Sequence, residues 1–151
     1  MNRTLLTISV FVISFLLFGC SEQEIFDDSY TIKFGSECGW CAGQEYIVIT
    51  NTKVEYVRNI PCGDNSGVTT KNKDLCSCDW SEITSSFDYS LFKKLDYSEC
   101  NVCADGCDEI ILITENKLSH ELRYSFSAKV EGMENLRQIL SEIMEEMREM
   151  D

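Results

Sequence analysis

Eight cysteines crowd the middle of this chain: Cys38, Cys41, Cys62, Cys76, Cys78, Cys100, Cys103 and Cys107. No other feature constrains the fold as strongly. A cysteine set this dense in a short chain either cross-links it or wraps it round metal, and the redox compartment decides which. The number is even, so every sulfur can have a partner. Eight cysteines allow about 105 pairings, so the spacing leaves the connectivity open. Each bridge contributes roughly 2–4 kcal/mol by restricting the unfolded chain.

The amino terminus names the compartment. Met1-Asn2-Arg3 is a minimal positive start, and Leu5 to Phe18 is apolar apart from Thr7, Ser9 and Ser14. A membrane-spanning helix takes about 20 apolar residues. This run is too short for that and fits the apolar stretch of an export signal over residues 1–19. Leu17-Phe18-Gly19-Cys20 then resembles the lipobox of bacterial lipoproteins. Leu17 and Gly19 match that pattern, and Phe18 stands where the family carries a small residue. The resemblance implies that Cys20 is acylated, as with palmitate, and becomes the first mature residue. It implies a bacterial cell-envelope protein held by lipid, at the outer membrane, with the periplasmic or surface face left open. Each buried methylene of the anchor contributes about 0.8 kcal/mol. An uncleaved signal anchor, or a secretory signal ending near a cysteine, is the competing reading.

Residues 20–29 read as a lipidated acidic tether. Glu22, Glu24, Asp27 and Asp28 stand there with no base among them. A solvated linker explains them. They also resemble the export signal of surface lipoproteins in Bacteroidota. The rest, 30–151, is a single domain's worth of chain.

In an exported chain, the eight cysteines beyond Cys20 read as a framework of up to four disulfides. Two other chemistries use the same residues. Cys38-x-x-Cys41, Cys76-x-Cys78 and Cys100-x-x-Cys103-x3-Cys107 include zinc-like spacings, against which the export signal argues. Cys38-Gly39-Trp40-Cys41 has the spacing of a redox dithiol. That chemistry places its first cysteine at a helix N-terminus, where the dipole stabilises the thiolate. Ala42 to Thr50 reads instead as a strand, and the βαβ pattern is missing. A thiol–disulfide oxidoreductase using Cys38 and Cys41, and a metal-binding envelope protein, stay as alternatives.

Hydropathy supplies the elements. Tyr30, Ile32 and Phe34 alternate with polar residues, so 30–34 is a half-buried strand. A loop with Gly35, Gly39 and Gly43 follows; the spacing is not that of a phosphate-binding loop. Runs 45–50 and 53–58, joined by Asn51-Thr52, predict a hairpin. Residues 59–77 read as loop around Pro61, Gly63 and Gly67. Asp79 and Glu82 have capping-box spacing for a helix with Trp80, Ile83 and Phe87 inward. Asp88 caps a second short helix with Leu91, Phe92 and Leu95 inward. Cys100 to Cys107 is a cysteine-pinned loop. Residues 110–114 suit a central strand, and 118–130 alternate as one long strand with His120, Leu122, Tyr124, Phe126, Ala128 and Val130 on one side. Met133, Leu136, Ile139, Leu140, Ile143, Met144 and Met147 repeat at helical spacing. Strands grouped in hairpins predict an α+β fold: an antiparallel sheet with helices on one face, braced by disulfides. The Phe34-to-Cys41 loop before a hairpin, the Trp80 helix and the terminal helix resemble small uncharacterised domains of other bacterial lipoproteins, a resemblance that brings no activity with it.

The chemistry-bearing residues are few. His120 is the only histidine and is in phase with a strand's buried side, as a structural histidine is. No G-x-S-x-G, H-E-x-x-H or P-loop occurs. Asn101, Asp105, Asp108 and Glu109 could offer oxygens to Ca²⁺, but their spacing is not an EF-hand's, and solvated acids explain them. Acidic residues outnumber basic ones 26 to 13, a net charge of −13. That sign repels phosphate backbones, so nucleic acid is not an expected partner. The reading is a membrane-anchored envelope lipoprotein, non-enzymatic, that binds an envelope protein or a small ligand. It assigns no catalytic residue, no metal and no cofactor beyond the lipid on Cys20.

Overall fold

The computed structural model describes residues 30–151. The expected export signal (1–19), lipidation site Cys20 and acidic tether (20–29) lie outside the described residues. Strand β1, Tyr30–Cys38, is the spine of a sheet. It pairs antiparallel with β2 (Gly43–Ile49) on one side and with β5 (Cys107–Glu115) on the other. Strands β3 (Lys53–Ile60) and β4 (Gly67–Asp74) extend the sheet beyond β2, and β6 (Leu118–Tyr124) extends it beyond β5. The order is β4-β3-β2-β1-β5-β6, antiparallel throughout. The helices are α1 (Ser77–Ser85), α2 (Tyr89–Phe92) and α3 (Glu134–Glu149), with a 3₁₀ turn at Asn101–Ala104.

Period-two alternation decides which face is buried. Ile32 and Phe34, Ile47 and Ile49, Val54 and Tyr56, Ile111 and Ile113, and Leu122 and Tyr124 fall on one face of the sheet. They form one core with Trp80, Ile83, Phe87 and Phe92, and with Met133, Leu136, Leu140, Met144 and Met147 of the α3 side. The fold is the disulfide-braced α+β sheet that the hairpin pattern predicts. Its helices lie on one face.

Several details differ from the sequence reading. Residues 35–38 continue β1, because Gly35 lies against Tyr46 where nothing larger fits. A Cβ on Gly35 would stand 2.1 Å from the Glu45 carbonyl and 2.5 Å from the Tyr46 Cα. The expected 59–77 loop contains β4. That strand is polar and exposed along most of its length, so no hydrophobic period announces it. The free edge of β3 recruits it through backbone hydrogen bonds. Its lysines then tie the edge to the end of α3: Lys73 pairs with Glu146 at 2.6 Å, and Lys71 donates to the carbonyls of Arg148 and Met150. Lysines on an edge also discourage strand addition.

Helix α1 is capped three residues before the expected Asp79. Cys76 is the N-cap, and its Sγ accepts the Asp79 amide. Asp79 keeps a favourable place inside the first turn, against the positive end of the helix dipole. Strand β6 stops at Tyr124. The Ser125 amide turns to the Glu99 carboxylate at 3.0 Å, and a turn follows in which Ala128 N–H reaches Ser125 O. Phe126 is exposed as a result. Leu91 is also exposed rather than inward.

Candidate functional site

One end of the sheet gathers three chain segments: the β1–β2 turn (39–42), the β3–β4 connection (61–66) and the 3₁₀ loop (100–106). Disulfides hold all three. Cys38–Cys107 joins β1 to β5, across a register pair of the sheet. Cys41–Cys62 ties the β1–β2 turn to the β3–β4 connection. Cys100–Cys103 staples the 3₁₀ loop on itself. Backbone contacts add to the sulfurs: Gly39 N–H donates to Gly106 O at 3.0 Å, and Gly106 N–H to Asn101 O at 2.8 Å. The fourth disulfide, Cys76–Cys78, lies where β4 passes into α1, at the opposite end of the strands. All eight cysteines of the expected framework are therefore paired. The alternative dithiol of Cys38 with Cys41 is not formed. A tight turn points the two side chains to different partners, and each sulfur is bonded elsewhere.

The turn held in this way carries Trp40. Its indole is 80% exposed, the largest exposed apolar surface among the described residues. Trp40 and Cys41 both have positive φ, 48° and 65°. Non-glycine residues adopt that region only when their surroundings impose it. Here the bridges at Cys38 and Cys41 impose it from both sides. Gly43 completes the turn at φ 82°, where a Cβ would meet the Asn59 carbonyl at 2.0 Å. Asp64 and Asp105 stand exposed on the two loops tied to the turn. Sequence reasoning singled out the cysteines around Trp40 but not Trp40 itself. A tryptophan between two cysteines gives no periodic signal of its exposure.

Behind the loops lies a buried ionic network. Asp108 is fully buried and accepts from the Asn101 backbone and side-chain amides, both at 2.8 Å, and from Arg123 at 3.3 Å. Burial alone would raise its carboxyl. The hydrogen bonds from Asn101, Val102 and Arg123 outweigh burial and hold it below the usual carboxylate range. Arg123 also reaches Glu37 at 2.8 Å. Glu109 is buried on the other face of β5. It accepts Arg137 Nε at 2.5 Å and Tyr124 Oη at 2.8 Å. The acids singled out for Ca²⁺ thus do not converge: Asp108 and Glu109 face opposite sides of the sheet, each already supplied with donors. Their work is to fasten the 3₁₀ loop and α3.

His120 is half-buried, with Nε2 2.9 Å from the Leu95 carbonyl and its ring edge-on to Phe92. A carbonyl partner requires Nε2 to carry the proton, so that nitrogen donates and cannot serve as a base. Among the described residues, the side chains that could converge on a metal ion are Cys76, Cys78 and Asp79. Two of those three sulfur and oxygen ligands are consumed in a disulfide. No helix among the described residues is long and apolar enough to cross a membrane. Compared with known proteins, the chain matches no family model and no curated sequence.

Proposed function

We propose that this protein is an envelope lipoprotein, anchored by lipid on Cys20, whose domain binds a partner protein through the Trp40 loop end. The observation that carries the reading is one exposed tryptophan on a turn that two disulfides hold rigid. An aromatic anchor fixed before binding loses little conformational entropy on association, which is how few residues come to dominate an interface. Asp64 and Asp105, exposed on the loops tied to that turn, and the net charge of −13, favour a partner whose apolar pocket is rimmed by basic side chains. The same charge disfavours nucleic acid. The apolar run 5–18 and Gly19-Cys20 support delivery to a membrane surface.

Tryptophan itself provides the assay. The chain has two, and Trp80 is buried at 7% exposure, so solvent-quenchable emission reports Trp40. Crosslinking on intact cells, compared among the wild type, Trp40→Ala and Leu118→Ala, tests the site. Leu118 is 75% exposed at the other end of the sheet. A species joined to wild type and Leu118→Ala but lost from Trp40→Ala, and whose purified form shields Trp40 from quencher, is the expected result. Equal recovery by all three refutes the site. Mass measurement of the membrane-extracted protein is expected to find an acylated Cys20 as its first residue; an unacylated chain, or one that still carries residues 1–19, refutes the anchor.

A further inference from the structure

The Cys76–Cys78 bridge differs in kind from the other disulfides. Only Ser77 separates its cysteines. A loop that short removes little entropy from the unfolded chain, so the bridge contributes little to holding the fold and can open without unfolding the domain. Both cysteines are exposed, so a thiol in solution reaches either sulfur. The bridge also caps a nine-residue helix. Cys76 Sγ accepts the Asp79 amide at 3.3 Å, in the place where a helix N-terminus stabilises a thiolate. Cys78 Sγ instead lies 3.6 Å from Asp79 Oδ1, whose charge opposes a thiolate there. The two sulfurs are unequal, and Cys76 is the better leaving group.

The protein holds its own control. Cys100–Cys103 is nearly as local, with a separation of 3 against 2, and its cysteines are also exposed. It spans a four-residue 3₁₀ turn, however, and its N-cap Cys100 receives no side-chain hydrogen bond. Cys38–Cys107 and Cys41–Cys62 join segments 69 and 21 residues apart and are structural.

A groove of about 320 Å³ opens beside the bridge, between α1 and α3. Asp79, which touches both sulfurs, is on its rim with Glu82, Glu142 and Glu146. Ile83 and Ile139 are on its floor. Lys73 is the one basic residue of the lining and is paired with Glu146. An acidic rim over an apolar floor suits a polypeptide with lysine or arginine flanking its cysteine, and repels an anionic thiol such as glutathione.

We infer that Cys76–Cys78 is an exchangeable disulfide that accepts electrons from a cysteine-bearing, cationic polypeptide seated in this groove. The incoming thiolate attacks Cys78 Sγ. The Cys76–Cys78 bond breaks, and Cys76 leaves as a thiolate. A second thiolate of the polypeptide attacks its own sulfur in the mixed disulfide, and Cys78 leaves. Two thiols become one disulfide, the Cys76–Cys78 pair takes up two electrons, and the two protons released by the thiols end on Cys76 and Cys78.

The test titrates the full-length protein with dithiothreitol, traps free thiols with iodoacetamide and maps them by peptide mass. Cys76 and Cys78 are expected to open first, at a reductant concentration about tenfold below that needed for Cys100 and Cys103, as a helix-stabilised leaving thiolate requires. Near-ultraviolet circular dichroism is expected to keep its folded signal at that point. Simultaneous opening of the local bridges, or opening of Cys76–Cys78 only with loss of the folded signal, overturns the inference. In single variants, Cys76 left free by Cys78→Ser is expected to alkylate faster at pH 7 than Cys78 left free by Cys76→Ser; the reverse order overturns the assignment of the leaving sulfur. Finally, a dithiol peptide flanked by lysines is expected to reduce the bridge about tenfold faster than glutathione at low salt, with the advantage shrinking at high salt. Equal rates overturn the role of the groove.

Discussion

Removing Cys38–Cys107 should cost far more stability than removing Cys76–Cys78. The chain-entropy relation scales with the logarithm of the loop closed. Cys38–Cys107 spans 69 residues, but Cys41–Cys62 lies inside that span and cuts across it. The effective loop falls to roughly 50 residues, which still corresponds to about 4 kcal/mol at 25 °C. Cys76–Cys78 spans two, and the same relation gives about 1 kcal/mol. Side-chain truncation adds little at either place, because Cys38 and Cys107 are only half-buried and Cys76 and Cys78 are exposed. The difference, about 3 kcal/mol, comes from the unfolded state rather than from any contact in the folded one. Urea unfolding of the two double alanine variants under non-oxidising, non-reducing conditions measures it. The denaturant slope should rise for Cys38→Ala/Cys107→Ala, whose unfolded chain expands further, and barely change for the other. Equal losses, or a larger loss at Cys76–Cys78, would refute the assignment of one bridge as structural and the other as dispensable.

Three further outcomes are expected. Gly35→Ala should cost at least about 2 kcal/mol by calorimetry, because its Cβ would fall 2.1 Å from a backbone oxygen that cannot move without opening the β1–β2 pairing. Arg137→Met should lose about 2 kcal/mol in urea by leaving buried Glu109 with Tyr124 as its remaining side-chain donor, and adding Glu109→Gln should restore part of that loss. Asp108 and Glu45 both have carboxyls held below their ordinary range; in Glu45, bonds from Arg148 and Tyr56 outweigh burial. Their stabilisation is therefore present above about pH 4 and lost as pH falls through the lowered folded values, so melting temperature should drop below pH 4 and drop less in Asp108→Asn. At the other extreme, burial and the Glu45 carboxylate push Tyr56 up to about 12. Its stabilisation is present below about pH 10 and lost as pH rises towards 12, so its tyrosinate absorbance should appear only as the fold opens.

Where side-chain period carried the information, the sequence was legible. Ile32 and Phe34, and Met133, Leu136, Leu140, Met144 and Met147 of the terminal helical pattern, are buried as their spacing predicts, whereas Ile139 and Ile143 of the same pattern are half-buried. Asp88 caps α2 as its position before Tyr89-Ser90-Leu91 predicts, accepting from the Ser90 and Leu91 amides. Elements without that signal were missed. Strand β4 is almost wholly polar, and it forms because β3 offers an unpaired edge. The alternation from Leu118 continues past Tyr124, but the Glu99 carboxylate, distant in sequence, takes the Ser125 amide and the strand ends there.

What the sequence determines by itself is what local chemistry determines. It fixes the α+β class, the buried face of the alternating strands β1 and β6, and an even set of cysteines able to close completely. Pairing is another matter. A cysteine's partner depends on which strands lie side by side, and that is settled only when β1 comes to sit between β2 and β5. Cys38 then meets Cys107, and Cys41 swings to Cys62. The same packing turns Trp40 outward, gives Cys38 and Cys41 separate partners, and leaves Cys76–Cys78 as an exposed bridge on a helix cap. Periodicity is a property of neighbours in the chain, whereas pairing and exposure are properties of neighbours in space.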